Sequence, residues 1–370
     1  MEQREAGQKF FVSTGETSGD LHLSYIVEAA RKLDPEASFY GVAGVYGRKA
    51  GVKILQDIRD LAVMGFTEAL RKYGFLKGKA REYLSFIKKE EIRKVILVDY
   101  GGFHLKFLAL LKKELPEVKV YYYIPPKLWI WGKSRLKKLV LADRILVIFP
   151  WEVDFYKKQN VETVYYGNPF TEKYRVVENR GDQILLLPGS RKQEVTGLFP
   201  VQLAVVRQFP EKRFLLKLSE ESHRTWIEQL TGGEKLPENL EITAEKSLEA
   251  CVARCRVACC ASGTVTLELC LMGIPAVVIY KVGLINAVII RLFLSLGFVS
   301  LPNLTINREV YPELLQEKCT AENIGRELSE LSDNPARQAK VTEDMAEVRA
   351  KLQNGNTHIV ESYGAYILNH

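Results

Sequence analysis

Residues 94–115 read KVILVDYGGFHLKFLALLKKEL and join an apolar run, two glycines and an amphipathic run without interruption. The first run has no polar residue between Val95 and Val98, which is typical of a parallel strand covered on both faces. Leucine and phenylalanine recur at helical spacing after Gly102, which predicts a helix. A strand, a tight turn and a helix form the unit from which parallel sheets are built, so this stretch predicts a parallel α/β fold.

The same alternation continues on both sides of this stretch. Further strands are predicted at FFVSTGE (10–16), SFYGVAG (38–44), VKVYYYIPP (118–126) and DRILVIFP (143–150). A polar segment with glycine and proline follows, and a second alternating series then runs from ILLLPG (184–189) to IPAVVIY (274–280). Two such series predict two doubly wound, Rossmann-like domains.

We therefore divide the chain into four parts. Residues 1–168 form the first domain and residues 184–340 the second. Residues 169–183 are interpreted as the linker, because they are polar and rich in turn-forming residues. Residues 341–370 are predicted to be helical. Two domains joined by one linker suggest a cleft, and ligands of such sheets bind beyond the carboxyl ends of the strands.

Composition narrows the class of protein. A length of 370 residues, with 47% apolar and 26% charged residues, fits two globular domains. The net charge of +7 suits anionic ligands or an anionic membrane surface. The sequence has no motif for RNA or DNA, so no nucleic-acid partner is expected. The N-terminal residues lack the apolar core of a signal peptide, which predicts a cytoplasmic protein.

The cysteines and glycine motifs predict neither a metal nor a nicotinamide cofactor. Four of the six cysteines lie in CVARCRVACC (251–260), without the paired C-x-x-C or Cys/His spacing of zinc sites. We interpret them as buried thiols. The first glycine turn is not a G-x-G-x-x-G fingerprint either.

The first candidate site loop is STGETSGD (13–20). Gly15 and Ser18 leave room for a ligand at the start of a helix, where N–H groups are free. Glu16 is predicted to lie where a strand end meets the cleft. The alternative is a tight turn in which Ser18 or Asp20 caps the helix.

The second candidate loop is VDYGGFH (98–104). Asp99 ends an apolar strand, and a desolvated carboxylate there can accept a proton from a hydroxyl group. The alternative is a turn or cap aspartate. His104 is either a second base or a solvated histidine.

Two turns of the second domain are predicted to bind an anion. Gly189, Ser190 and Arg191 follow the strand in LLLPGSRKQEV (185–195). Ser262, Gly263 and Thr264 likewise connect a strand to a helix in ASGTVTLE (261–268). Glu268 lies one helical turn beyond Thr264, where its carboxylate can accept both hydroxyls of a ribose.

Residues 66–91 interleave aromatic and basic side chains. A basic amphipathic helix with aromatics is typical of binding to a membrane surface. The alternative is a surface helix whose apolar face packs on the sheet. The candidate membrane-facing residues are Phe66, Arg71, Lys72, Phe75, Lys77 and Arg81.

Several motifs occur in order along nearly the whole chain: GETSGD (15–20), YGVAG (40–44), LAVMGFTEAL (61–70), P-x-x-W-x-W (126–131), LPGSR (187–191), ASGTVTLE (261–268) and VSLPNL (299–304). This ordered set resembles the lipid-A-disaccharide synthase family. The resemblance implies the GT-B architecture, in which two Rossmann-like domains face each other across a cleft and C-terminal helices cross back.

The resemblance also implies a reaction. The donor is UDP-2,3-diacylglucosamine, the acceptor is 2,3-diacylglucosamine 1-phosphate, and inverting transfer gives the β-1,6-linked lipid A disaccharide 1-phosphate and UDP. No cofactor or metal is implied. The family implies a peripheral enzyme on the inner face of the inner membrane. It also suggests a homodimer that exchanges C-terminal elements, although the sequence is compatible with a monomer.

The resemblance assigns roles to single residues. Asp99 matches the essential aspartate and is the candidate base for the acceptor 6-hydroxyl. Arg191 matches the essential arginine, and its fork of N–H groups suits a diphosphate. Glu16 is grouped with the catalytic residues and Asn303 with the donor contacts, both without a firm role. Residues 99–104 depart from the usual D-x-P-D-F-N, since the second aspartate and the asparagine are missing.

Two other functions remain open from the sequence. One is a UDP-sugar 2-epimerase, or a glycosyltransferase with a soluble acceptor, on the same fold. The other is a scaffold that binds UDP or lipid without catalysis, which the altered loop after Asp99 motivates.

Overall fold

Two parallel six-stranded sheets organise the chain. The structure is a computed structural model that describes residues 7–63, 69–126, 128, 135–178, 180–245, 247–281 and 297–370, with the backbone alone for residues 61–63 and 69–76. The chain divides into two compact units. The first comprises Met1–Glu172 with Gln353–His370, and the second comprises Lys173–Leu352.

The first unit alternates strands with helices. Its strands are β1 (Lys9–Ser13), β2 (Ser38–Ala43), β3 (Lys53–Asp57), β4 (Lys94–Val98), β5 (Lys119–Tyr123) and β6 (Arg144–Leu146). Its helices are α1 (Thr17–Leu33), α2 (Val45–Ala50), α3 (Ile58–Val63), α4 (Ala69–Lys89), α5 (Gly101–Glu114), α6 (Leu136–Leu139) and α7 (Pro150–Lys157), with α8 (Phe170–Lys173) at the boundary.

The second unit repeats the pattern. Its strands are β7 (Gln183–Leu187), β8 (Phe214–Lys217), β9 (Leu240–Thr243), β10 (Cys255–Ala261), β11 (Ala276–Tyr280) and β12 (Glu313–Leu315). Its helices are α9 (Lys192–Gln208), α10 (Arg224–Thr231), α11 (Leu248–Ala253), α12 (Thr264–Leu271), α13 (Leu301–Ile306), α14 (Ala321–Asp333) and α15 (Pro335–Gln353). The last helix, α16 (Ile359–Asn369), belongs to the first unit.

Strand order places a switch point in each sheet. The first sheet runs β3-β2-β1-β4-β5-β6 and the second runs β12-β11-β10-β7-β8-β9, with parallel neighbours throughout. The direction of winding reverses between β1 and β4 and between β7 and β10, and ligands bind at such points. The predicted doubly wound α/β fold is confirmed, and all four candidate loops follow these four strands.

The sequence did not predict two of the strands, β3 and β12. Both lie at sheet edges, and no residue of β3 is fully buried. Edge strands are short and carry polar residues, so they lack the continuous apolar run that identified the central strands. The C-terminal segment that belongs to the first unit begins at Gln353 and not at residue 341. The reason is that the apolar face of α15 (Val341, Met345 and Val348) is buried within the second unit.

The C-terminal helix α16 completes the core of the first unit. A Cβ atom added at Gly364 would lie 2.9 Å from the backbone nitrogen of Ala30, so α16 and α1 are in close contact. The hydroxyl of Tyr363 lies 2.5 Å from the carbonyl oxygen of Val147. Lys94 donates to the carbonyl oxygen of Leu368 at 2.6 Å, which satisfies a helix end and suits its negative dipole.

Candidate active site

The loops after β1 and β4 meet at the switch point of the first sheet. A Cβ atom at Gly15 would lie 2.2 Å from the Tyr100 ring, so the glycine allows the two loops to touch. Burial and the nearby Glu16 carboxylate raise the pKa of Tyr100. Glu16 is exposed, whereas Gly15 and Ser18 are half-buried. The structure therefore brings Glu16 beside the loop that carries Asp99.

Asp99 and Tyr100 have an unusual backbone conformation. Their φ angles are +50° and +49°, and neither residue is glycine. This left-handed conformation costs about 1–2 kcal/mol per residue. Such strain persists where surrounding contacts over-determine it, and it is concentrated at functional sites. The half-buried Asp99 thus lies at a strained turn on the carboxyl edge of β4.

His104 is enclosed beneath this turn. Its Nδ1 lies 2.8 Å from the carbonyl oxygen of Asp99, and its Nε2 lies 2.8 Å from the Ser13 hydroxyl. Because a carbonyl only accepts, Nδ1 carries the proton and Nε2 accepts from Ser13. Burial lowers the pKa of His104 to about 4. Both expectations for His104, a base for the acceptor and a solvated histidine, are wrong, because the ring is fully buried and both nitrogens have partners.

Asp20 has a structural role that differs from the helix cap considered as an alternative above. Its carboxylate accepts from the backbone N–H groups of Gly44, Tyr46 and Gly47 at 2.7, 2.9 and 3.1 Å. Asp20 therefore caps α2 and not its own helix. This contact joins the GETSGD motif to the end of the YGVAG motif.

The described part of the basic aromatic stretch is an amphipathic surface helix. Tyr83, Leu84 and Ile87 of α4 are buried in the core of the first unit, whereas Lys77 and Arg81 are exposed. The apolar side chains of this part are therefore not available to a membrane. Phe66 lies outside the described residues, as do the side chains of Arg71, Lys72 and Phe75.

In the second unit, the LPGSR loop wraps around Glu194. Gly189 has a φ of +109°, a conformation that favours glycine. The Glu194 carboxylate accepts from the backbone N–H groups of Ser190 and Arg191 at 2.9 and 3.3 Å. The Arg191 guanidinium lies 3.7 Å from the same carboxylate, and its side chain is 69% exposed. Sequence reasoning missed Glu194, although a glutamate three residues into a helix is a known capping signal.

The second turn, after β10, presents exposed backbone at a helix start. Gly263 is exposed and precedes α12, which begins at Thr264. Ser262 is held by a hydrogen bond from its hydroxyl to the carbonyl oxygen of Val299 at 3.1 Å. Because β7 and β10 are paired, this turn and the LPGSR loop follow neighbouring strand ends.

Glu268 is held in place by a residue that the sequence analysis did not single out. The hydroxyl of Tyr174 donates to its carboxylate at 2.8 Å. Burial raises the pKa of Glu268, while the Tyr174 hydrogen bond and the charge of Lys217 oppose that rise. The carboxylate is thus positioned before it accepts any further hydrogen bond.

The assignment of Asn303 to the donor contacts is wrong in this arrangement. Asn303 is fully buried. Its amide nitrogen donates to the Tyr311 carbonyl oxygen and to Glu313 at 2.9 and 2.8 Å, and its amide oxygen accepts from the N–H groups of Val310 and Tyr311. All four hydrogen-bonding positions of the amide are used, so Asn303 fixes the loop before β12.

The cysteines are core residues. All six are free and buried. Burial raises the pKa of Cys255 and Cys259 to about 12, which keeps these thiols protonated. The described ranges contain no group of three or more His, Cys, Asp or Glu residues that could hold a metal ion.

The family follows from two comparisons. The family model of lipid-A-disaccharide synthetase matches residues 10–365. The chain belongs to the lipid-A-disaccharide synthase family. Lipid-A-disaccharide synthases of Geobacter metallireducens and Syntrophus aciditrophicus are 33% and 34% identical to it, over 94% and 92% of both chains. It is therefore an enzyme, a glycosyltransferase that makes lipid A disaccharide.

Solved structures agree with this family at the level of the fold. UDP-GlcNAc 2-epimerase from Neisseria meningitidis, bound to UDP-GlcNAc, is similar with a TM-score of 0.67 at 11% identity, covering 98% of this chain and all of the other. MurG of Acinetobacter baumannii has a TM-score of 0.58 at 14% identity with the same coverage. The calicheamicin glycosyltransferase CalG4 also has a TM-score of 0.58, at 12% identity over 98% of both chains. These likenesses show the GT-B fold.

Among the helices within the described ranges, none is long and apolar enough to span a bilayer.

Proposed function

We propose that this chain joins UDP-2,3-diacylglucosamine to 2,3-diacylglucosamine 1-phosphate in a single inverting displacement. The acceptor 6-oxygen bonds to the anomeric carbon of the donor while the bond from that carbon to UDP breaks. The products are the β-1,6-linked disaccharide 1-phosphate and UDP. Family membership supports this reaction.

Asp99 is the proposed general base. Its carboxylate takes the proton of the acceptor hydroxyl as the new bond forms, and general bases of this kind contribute about 10²–10⁴-fold. The observation that carries this role is the strained, half-buried turn at the switch point, where Glu16 lies near Tyr100, the residue that follows Asp99. Glu16 and Ser18 are proposed to bind the acceptor sugar.

The second unit is proposed to hold the donor. Arg191 and the N–H groups of the SGT turn at the start of α12 stabilise the charge that develops on the departing UDP. Glu268 accepts the ribose hydroxyls. With this charge supplied by the protein, no metal ion is proposed, and turnover is expected to be unaffected by EDTA.

The decisive experiment measures UDP release by the purified full chain. UDP is expected only when both diacylated sugars are present, together with a disaccharide. Asp99→Asn preserves shape and tolerates a positive φ, and it is expected to lower kcat by about 10²–10⁴-fold. Asp154→Asn, at an exposed position of α7, is the matched control. Near-normal kcat in Asp99→Asn would refute the base. Tight UDP binding without any disaccharide would favour a scaffold.

Arg191 is tested by separating binding from chemistry. If it stabilises the departing UDP, Arg191→Ala lowers kcat by about 10²-fold or more. If it only holds the donor, the variant raises the donor KM and leaves kcat unchanged. The exposed Arg207 of α9 provides the control substitution Arg207→Ala.

The basic segment 66–91 is proposed to bind the anionic inner face of the inner membrane, with the chain on the cytoplasmic side. The exposed Lys77 and Arg81 support this, since each basic group near an anionic surface contributes about 1 kcal/mol. Lys77→Glu with Arg81→Glu is expected to reduce sedimentation with phosphatidylglycerol vesicles. Lys235→Glu with Arg224→Glu, placed in the second unit, is the control. Equal sedimentation of both variants would refute the assignment.

A homodimer that exchanges C-terminal elements is proposed as the alternative to a monomer. α16 is the element suited to exchange. It contacts α1 and contributes buried residues to the first unit, although the whole second unit, Lys173–Leu352, precedes it in the chain. Sedimentation equilibrium of the full chain distinguishes the two states.

A further inference from the structure

The carbonyl oxygen of Asp99 receives two side-chain hydrogen bonds. His104 donates from Nδ1 at 2.8 Å, and Tyr122 donates from its hydroxyl at 2.9 Å. Ser13 in turn donates to Nε2 of His104 at 2.8 Å. The three side chains are almost entirely buried. They form one connected chain of hydrogen bonds that ends on the peptide of the proposed base.

These three residues come from three different elements around β4. Ser13 ends β1, Tyr122 lies on β5, and His104 is in the first turn of α5. Since β1 and β5 are the two neighbours of β4, the peptide of Asp99 is tied to both sides of the sheet. A left-handed peptide would otherwise relax, because that conformation is unfavourable for aspartate and tyrosine.

We propose that Ser13, His104 and Tyr122 are positioning residues that hold Asp99 in its left-handed conformation and thereby aim its carboxylate at the acceptor hydroxyl. The proposal rests on the function proposed above. A misplacement of a catalytic group by about 1 Å can cost about 10²-fold in rate, so holding this peptide bears directly on kcat.

Ser13, His104 and Asp99 do not form a hydrolytic Ser-His-Asp triad. In a triad the histidine binds the aspartate carboxylate and the serine is open to substrate. Here His104 binds the backbone carbonyl of Asp99, and Ser13 is 1% exposed. Ser13 therefore acts as a donor that fixes the tautomer of His104, and not as a nucleophile.

Two substitutions of His104 separate its two contacts. In His104→Asn the amide nitrogen takes the place of Nδ1, so the donor to Asp99 is kept and the contact to Ser13 is lost. In His104→Gln the amide group takes the place of Nε2, so the contact to Ser13 is kept and the donor to Asp99 is lost. We expect His104→Gln to lower kcat about 10-fold, and at least about threefold more than His104→Asn, since one hydrogen bond is at stake.

Tyr122→Phe removes the second hydrogen bond with little change of shape, and it tests the proposal even if both His104 variants fail to fold. We expect kcat to fall about 3–10-fold, with the donor KM and the UDP Kd within about twofold of the original values. The same three variants are made in Asp99→Asn, where no further loss of kcat is expected because the base is already absent.

Three results would overturn the positioning role: equal kcat in His104→Asn and His104→Gln, unchanged kcat in Tyr122→Phe, or an equal fold-loss with and without Asp99. Full activity of Asp99→Asn alone is a different result, because it refutes the base itself. Thermal unfolding of each variant identifies losses that come from the fold.

Discussion

At the scale of single residues, hydrogen bonding decides the roles of the polar side chains. Asn303 and Asp20 belong to motifs shared with the family, yet their side chains bind groups of their own unit: Asp20 binds backbone N–H groups, and Asn303 binds backbone groups and the Glu313 carboxylate. Asp99, Glu16 and Arg191 retain at least partial exposure at switch points. Motif membership thus identifies important residues, and only their contacts distinguish those that build the loops from those that can meet a ligand.

His104 makes the first unit sensitive to acid. Its pKa falls from 6.5 to about 4 through burial, so the unfolded state binds the proton more readily. The part of the free energy of unfolding that depends on a neutral His104 ring is fully present above pH 6.5 and is lost as the pH falls toward 4. The loss amounts to about 3 kcal/mol. Urea unfolding at about pH 7.5 and pH 5 should show about 2 kcal/mol of this loss, because pH 5 lies about 1.5 units below the unfolded-state pKa.

His104→Asn is the comparison for this measurement. Its free energy of unfolding should change less between the two pH values than that of the original chain. His22, whose pKa is lowered by burial to about 3, acts in the same direction in both proteins. Equal acid sensitivity of the two proteins would contradict the assignment to His104.

Tyr174 gives a prediction for the donor half. Tyr174→Phe removes the hydroxyl that orients Glu268, so the Kd for UDP should rise about 3–10-fold. The value of kcat at saturating donor should change little, because the contact concerns binding. Tyr46→Phe, with its partly exposed ring in the first unit, is the control. Unchanged UDP affinity, measured by calorimetry, would show that Glu268 does not contact the nucleotide.

At the scale of elements, the close contact of α1 and α16 depends on one glycine. A Cβ at position 364 would lie 2.8 Å from the Cβ of Ala29 and 2.9 Å from the nitrogen of Ala30. Gly364→Ala should therefore lower the free energy of unfolding by about 1–3 kcal/mol, although alanine is the better helix former. Thermal melting checks this, with Glu361→Ala on the exposed face of α16 as control. A melting temperature as high as that of the control would refute the contact.

At the scale of the whole molecule, each unit has its own sheet and its own switch point, but the first is completed by the end of the chain. Ile359, Tyr363 and Ile367 of α16 are fully buried there. Removing residues 354–370 should abolish the protection of β1 and β4 against hydrogen exchange, because α1 would lose the face that covers it. Strands β7 and β10 should remain protected. Protected β1 and β4 in the shortened chain would contradict this expectation.

The sequence by itself determined the class of fold and the positions of the four loops. Continuous apolar strands, glycine turns and helical spacing are local patterns, and parallel α/β topology leaves few ways to arrange them. Asp99 and Arg191 were therefore singled out from strand ends, and Glu268 from its helical spacing to Thr264. The edge strands β3 and β12 were missed, because they lack that local signal.

Only the tertiary structure decided which polar groups are satisfied. His104 lies 91 residues from its partner Ser13, and Tyr174 lies 94 residues from Glu268. No local pattern encodes such pairs, since they arise when distant strand ends are brought to one edge of a sheet. The left-handed turn at Asp99 likewise depends on contacts between different strands and helices. Its cost is local, but the hydrogen bonds that hold it come from β5 and from a helix anchored to β1.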